Sequence, residues 1–244
     1  MRPELGIQLP SLADIPDPIE MTGWKEVPIQ ESGQQLVDLE SYIKDFPIVL
    51  APQYHLQGIP NSSDKMSLRL EAAERLAQAS KLLPRNYSLI VFDSHRPIQV
   101  QQSLFDSFRN QVRLQYPKDD EEEIVRKTQR FVSLPSAIPT RPSPHSTGGA
   151  IDLSIVHPNS SLLEMGTWFD DFTDASQTAY FKNRDGIYHT NRLLLYRIMT
   201  SVGFSNYPEE WWHYDYGNQF WGHITTNAAI YGFIEGGELN DTKQ

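Results

Sequence analysis

The chain has 244 residues, 39% of them hydrophobic, a formal net charge of −10 at pH 7 and no cysteine. Its length suits one sizeable core. Without thiols there are no disulfides, thiolate ligands or cysteine nucleophiles, so any transition-metal site must be built from the seven histidines and the carboxylates. The acidic balance, with no basic cluster, argues against nucleic acid as a partner, because phosphate backbones are held by concentrated Lys and Arg.

Residues 1–35 are dotted with proline and weakly periodic, which predicts an extended arm that packs on the domain or is partly disordered. The opening residues lack a basic start followed by an apolar run, and no later segment approaches the roughly 18 uninterrupted apolar residues of a membrane helix. A cytoplasmic protein without a membrane partner is the expectation, or a periplasmic one if the chain is a processed form. Residues 36–236 read as one domain and residues 237–244 as a polar tail.

Residues 47–51 form an apolar run suited to a strand, and residues 54–63, with Gly58 and Pro60, read as a loop. From 64 to 83, Leu70, Ala73, Leu76, Ala77 and Leu83 recur at helical spacing, and Pro84 stops the helix. Residues 87–93 are β-branched and aromatic enough for a buried strand, which places Arg96 just past a strand end. A second helix is predicted over 98–116 from Val100, Leu104, Phe108 and Val112, and a third, with an acidic start at 119–123, runs toward Val132. Prolines 135, 139, 142 and 144 make 133–144 a loop. In the strand expected over 150–155, Ala150, Asp152 and Ser154 share one face and Ile151, Leu153 and Ile155 the other. Residues 192–202 carry a helical apolar stripe that ends at Gly203, and 210–216 are aromatic and strand-like.

Two strings carry the chemistry: Ser143-Pro-His145-Ser-Thr-Gly-Gly-Ala-Ile-Asp152 and Glu210-Trp-Trp-His213. A catalytic zinc site uses three protein ligands and leaves a fourth position for water, and His145, Asp152 and His213 make such a set. Glu210, three residues before His213, is spaced to act on that water as general base, with Trp211 and Trp212 as walls. Plainer readings exist for each part. A lone histidine is more often a hydrogen-bonded structural residue, and Glu-Trp-Trp-His alone fits an aromatic strand with a surface glutamate. His55, His95, His157, His189 and His223 fit no ligand spacing, although His95 could orient a neighbour of Arg96.

The pattern Ser-X-His-X-X-Gly-X-Ala-X-Asp followed by Glu-X-X-His resembles the zinc D-alanyl-D-alanine dipeptidases, relatives of the zinc D,D-carboxypeptidases. The likeness extends to Asp93-Ser-His-Arg-Pro97 and Met165-Gly-Thr-Trp-Phe-Asp170, and covers about residues 85–217. It implies an α+β fold of the hedgehog-like kind, with a mixed, largely antiparallel central sheet flanked by helices, and one Zn2+ per chain. It implies hydrolysis of the free dipeptide D-alanyl-D-alanine, a small zwitterionic partner derived from the bacterial cell wall, with Glu210 as base. It further implies that Arg96 stabilises the oxyanion, that Asp170 pairs with the substrate ammonium, and that Ser143 and Tyr54 touch the substrate. The residues alone leave open a surface salt bridge for Arg96, a helix cap near Phe172 for Asp170 and a turn-shaping role for Ser143. A D,D-carboxypeptidase trimming peptidoglycan peptides and a non-catalytic binding domain of the same fold are the alternatives; the oligomeric state is left open.

Overall fold

The computed structural model describes residues 14–129, 132–136, 138–171, 173–184 and 186–234. In chain order its elements are β1 (Leu36–Asp38), α1 (Leu39–Tyr42), β2 (Ile48–Leu50), α2 (Gln53–Leu56), β3 (Ser67–Arg69), α3 (Leu70–Ser80) and β4 (Ser88–Asp93). There follow α4 (Ile98–Gln115), α5 (Glu121–Thr128), β5 (Ala150–Val156), α6 (Ile187–Ser201), β6 (Ser205–Asn206), β7 (His213–Asp215) and α7 (Gln219–Thr225). The main sheet has the order β2-β4-β5-β7-β6, in which only β2 and β4 run parallel, and β1 pairs with β3 in a separate antiparallel ribbon. This is the α+β architecture with a mixed, largely antiparallel sheet that the sequence pattern implies.

Local chemistry accounts for the elements that frame the site. The Asp120 carboxylate accepts the Glu123 N–H at 2.9 Å and caps α5, whose first turn is acidic and whose last turn is basic, as the helix dipole favours. β5 is buried along almost its whole length. Its Ile151, Leu153 and Ile155 share one core with Ala72, Ala73 and Leu76 of α3 and Leu195, Ile198 and Met199 of α6. Each such aliphatic side chain removed from water contributes roughly 1.5–3 kcal/mol. On the opposite face Asp152 and Ser154 are buried as well, so this polar face of the strand is covered and not solvated.

Several elements differ from the sequence expectation. Residues 67–69 are strand and not the start of a helix, because their backbone pairs with β1, a partner that local periodicity does not reveal. Gln53–Leu56 forms a helical turn where a loop is expected, and it buries Tyr54. α6 begins five residues earlier than its apolar stripe, and only 213–215 of the aromatic segment are strand. The described part of the N-terminal arm lies against the domain: Gln30 and Ser32 N–H donate to the carbonyls of Ala229 and Ile230 at 2.7 and 2.9 Å. Trp24 meets Phe220 edge-on at 4.5 Å. Residues 237–244 lie outside the described residues. No helix among the described residues is long and apolar enough to cross a membrane.

Candidate functional site

Sheet register brings the candidate ligands together. Asp152 on β5 stands directly opposite His213 on β7 and, across a register shift between Val91 and Asp93, opposite Asp93 on β4. The shift is the local signature of a bulge, a device that re-aims side chains at the end of a strand pair. His145 comes from a single 3-10 turn, Pro144–Thr147, immediately before β5. Gly148 ends that turn at φ +70°, and a Cβ on Gly149 would collide with the Tyr216 carbonyl oxygen, so the two glycines let the turn close tightly onto the sheet.

One atom from each of the three side chains lies within 4.8 Å of the others. His145 Nε2 is 3.2 Å from His213 Nδ1 and 3.3 Å from Asp152 Oδ2, and His213 Nδ1 is 2.9 Å from Asp152 Oδ1. A tetrahedral ion with bonds of about 2.0–2.2 Å needs ligand–ligand edges of about 3.3–3.6 Å; the two edges at His145 Nε2 are close to this, while His213 Nδ1 makes its short contact to the other oxygen of the Asp152 carboxylate. The far nitrogens are also engaged: His145 Nδ1 lies 2.7 Å from the Ser94 carbonyl and His213 Nε2 lies 3.1 Å from the buried Asp215 carboxylate. Donating the outer N–H to a carbonyl or carboxylate leaves the inner nitrogen as a lone pair aimed at the shared point, which is how metal-bound imidazoles are held. The residues present therefore fit a tetrahedral N/O-ligated ion.

Glu210 sits beside this triangle, its Oε2 3.9 Å from His213 Nδ1. It is folded back by a tight turn in which Glu210 N–H donates to the Tyr207 carbonyl at 3.2 Å and His213 N–H to the Glu210 carbonyl at 3.3 Å. The Asn206 amide pins that turn by donating to both carbonyl oxygens, of Glu210 at 3.1 Å and of His213 at 3.0 Å. Arg96 is buried and fixed on several sides. Its guanidinium donates to Asp93 Oδ2 at 2.6 and 2.9 Å, to Gln101 Oε1 at 2.8 Å and to the Tyr54 hydroxyl at 3.3 Å, and lies 3.9 Å from Asp152 Oδ2. A surface salt bridge does not describe it, since only 8% of the residue is exposed.

Asp170 borders the same cavity as Tyr54 and adopts φ +60°, a left-handed conformation that Asp tolerates better than most residues. It caps no helix: the short 3-10 turn that follows starts at Asp174 with Thr173 in the cap position. Ser143 makes no side-chain cap bond to the turn that follows it. Ser143, Tyr54, Arg96, Asp170 and Glu210 border, together with the three candidate ligands, a cavity of about 300 Å³, whose other walls include Tyr207, Phe220 and one side of α4. The two tryptophans do not wall it. Trp212 is fully buried in the core against Phe169 at 5.6 Å, and Trp211 Nε1 donates to Thr167 Oγ1 at 2.8 Å, so both brace the segment that carries Asp170.

The electrostatics of the cavity call for cations. Burial, reinforced by the charge of Asp152 and by other nearby carboxylates, raises the Asp170 carboxyl to about 7 and the Glu210 carboxyl to about 8. Asp152 is held below the usual carboxylate range despite its burial, because His145 and His213 face it. Arg96, the guanidinium among these acids, stays fully protonated, its burial outweighed by Asp93, Tyr54 and Asp152. A divalent ion and a substrate ammonium would both relieve the crowding of negative charge and lower the raised carboxyls.

Asp93, Asp215 and Asn206 are participants that sequence reasoning missed. Asp215 had a signal: two residues beyond His213 in a strand, it shares the same face.

Two imidazoles and a carboxylate converging on one point, beside a partly buried glutamate and at the strand ends of a mixed sheet, form the kind of donor set that metal-dependent hydrolases use. A family model described as D-ala-D-ala dipeptidase matches residues 54–231. The chain belongs to that peptidase family and is a hydrolase. It is 29% identical over 220 residues to a D-alanyl-D-alanine dipeptidase of Synechocystis sp., covering 80% of this chain and 87% of that protein. It is 32% identical over 127 residues to a D-alanyl-D-alanine dipeptidase of Escherichia coli, covering 52% of this chain and 54% of that protein. A third protein of that description, from Enterococcus faecium, is 31% identical over 154 residues, with 59% and 70% covered. A solved LD-carboxypeptidase structure aligns with a TM-score of 0.37 and 20% identity over 67% of this chain and 66% of that chain.

Proposed function

We propose that this chain is a zinc-dependent dipeptidase that hydrolyses free D-alanyl-D-alanine to two molecules of D-alanine. The observation that carries the reading is the placement of Glu210, 3.9 Å from His213 Nδ1, beside a three-ligand triangle, in a cavity that also holds Asp170 and Arg96. Family membership and relatives described as D-alanyl-D-alanine dipeptidases support the substrate.

His145, Asp152 and His213 would hold one zinc ion per chain. When bound, zinc supplies Lewis acidity toward the scissile carbonyl and lowers the pKa of water toward about 7. Glu210 takes the proton of the attacking water and returns it to the leaving amine, a shuttle for which a partly buried carboxyl with a raised pKa is suited. Arg96, locked by Asp93 and Gln101, presents positive charge toward the oxyanion without having to reorganise. Asp170 receives the substrate ammonium, with Tyr54 fixing its carboxylate, and Ser143 contacts the substrate from the His145 side. An acid for the free amino group distinguishes a dipeptidase from a carboxypeptidase, which must leave that end of its substrate open to a longer peptide.

The test is a zinc-loaded substrate panel of D-Ala-D-Ala, L-Ala-L-Ala and an N-acylated D-Ala-D-Ala peptide. Rapid turnover of the first alone is expected. Preference for the N-acylated peptide would point to a carboxypeptidase, and turnover of none to a binding domain.

A further inference from the structure

The segment that presents Asp170 connects β5 to α6, and its two ends are gathered by one buried side chain. Arg192 on α6 is 1% exposed. Its Nε donates to the Met165 carbonyl at 2.7 Å, its Nη1 to the Gln177 carbonyl at 2.6 Å and its Nη2 to the Ala175 carbonyl at 2.8 Å. Met165 lies five residues before Asp170; Ala175 and Gln177 lie five and seven after it. The guanidinium also lies over the Phe181 ring at 4.8 Å and the Trp211 ring at 5.9 Å. Next to it, the Asn191 amide donates to the Glu164 carbonyl at 2.8 Å.

This arrangement is unusual for a buried cation, since among the described residues its side-chain hydrogen bonds go to neutral backbone carbonyls and not to a carboxylate. Burial lowers its pKa only to about 10, so it stays charged. A planar fork can meet three carbonyls in fixed directions, whereas a lysine ammonium offers one point of charge. The segment so closed carries the left-handed Asp170, and strained backbone at a binding residue persists only where its surroundings over-determine it.

Resting on the reading of Asp170 as the ammonium partner, we infer that Arg192 is the positioning residue of the amino-group subsite. It touches no substrate; it closes the Met165–Gln177 segment so that the Asp170 carboxylate stands at a fixed place beside Tyr54 and Arg96.

The test compares D-Ala-D-Ala with propanoyl-D-alanine, which has the same skeleton without the ammonium, on zinc-loaded wild type, Arg192→Lys, Asp170→Asn and the double variant. Arg192→Lys should raise KM for D-Ala-D-Ala about tenfold or more, change kcat less than about threefold, and leave the Ki of propanoyl-D-alanine within about twofold. In the Asp170→Asn background the same substitution should add less than about twofold, because the group it positions is already gone. Equal weakening of both ligands, or effects that multiply in the double variant, would overturn the inference. If Arg192→Lys does not fold, Thr167→Val reads the same segment by removing the hydroxyl that accepts from Trp211, and it should show the same selective rise in KM; an unselective change or none would overturn the inference. An Asp170→Asn variant without selectivity overturns the ammonium reading and this inference with it. A selective Asp170→Asn beside an unselective Arg192→Lys overturns this inference alone.

Discussion

Replacing Asp215 with Ala should weaken zinc binding by 10- to 100-fold, or about 1.4–2.7 kcal/mol, the usual cost of losing an outer partner of a metal-bound histidine. The effect follows from two contacts. Asp215, with no exposed surface, stands 3.1 Å from His213 Nε2 and accepts from the Asn218 amide at 2.5 Å. With the carboxylate present, the His213 proton belongs on Nε2, and Nδ1 keeps its lone pair facing Asp152 and His145. Without it, the tautomer protonated at Nδ1 gains weight, and that nitrogen can no longer ligate. Asp215→Asn keeps an acceptor in place and should lose less than Asp215→Ala. The assay is competition for zinc against a chromophoric chelator at fixed pH, on variants first shown to melt cooperatively. A zinc Kd for Asp215→Ala within about twofold of wild type would refute this account of how His213 is oriented.

Other outcomes follow from the same geometry. Glu210→Gln should lower kcat by roughly 10²–10⁴-fold while the protein still binds one zinc, because the substitution removes the proposed base but none of the proposed ligands; metal analysis and D-alanine release measure the two separately. Glu71, away from the site, accepts hydrogen bonds from Tyr216 and Arg75, which hold its carboxyl below the usual 4.5. A depressed folded pKa means that Glu71 contributes stability above about pH 4.5 that is lost as pH falls through its folded value. Glu71→Gln should therefore melt below wild type at pH 6, with the gap closing as thermal scans are taken toward pH 3. Asp170→Ala should raise KM for D-Ala-D-Ala far more than it changes kcat, since the proposed ammonium contact would be made in ground state and transition state alike; a pure kcat effect would argue against that role.

Legibility in the sequence tracked how local each feature is. His145 and Asp152 lie in one contiguous string, and two-residue alternation already separated Asp152 from Ile151 and Leu153, whose side chains fill the core. Glu210 and His213 were readable as a pair, but their convergence with Asp152 depends on the β5–β7 register, which no local pattern contains. The strand at Ser67–Arg69 was hidden because its pairing partner, Leu36–Asp38, is some thirty residues away and both are short. The place of Trp211 and Trp212 between Glu210 and His213 suggests walls of the site; the tight turn at Tyr207–His213 sends them into the core instead, and Tyr207 and Phe220 line the cavity. Arg192 left no trace that sets it apart from Arg197 on the same helix, since its partners are backbone carbonyls.

The most direct test of the central claim is a zinc titration of chelator-stripped protein, followed by D-alanine release from D-Ala-D-Ala, in wild type and in His145→Ala. Activity is predicted to be absent at the start, to rise linearly and to break at one zinc per chain in wild type, while His145→Ala neither retains the tight equivalent nor turns over. Full activity in the stripped protein, or a His145→Ala variant that titrates and turns over like wild type, would contradict the account.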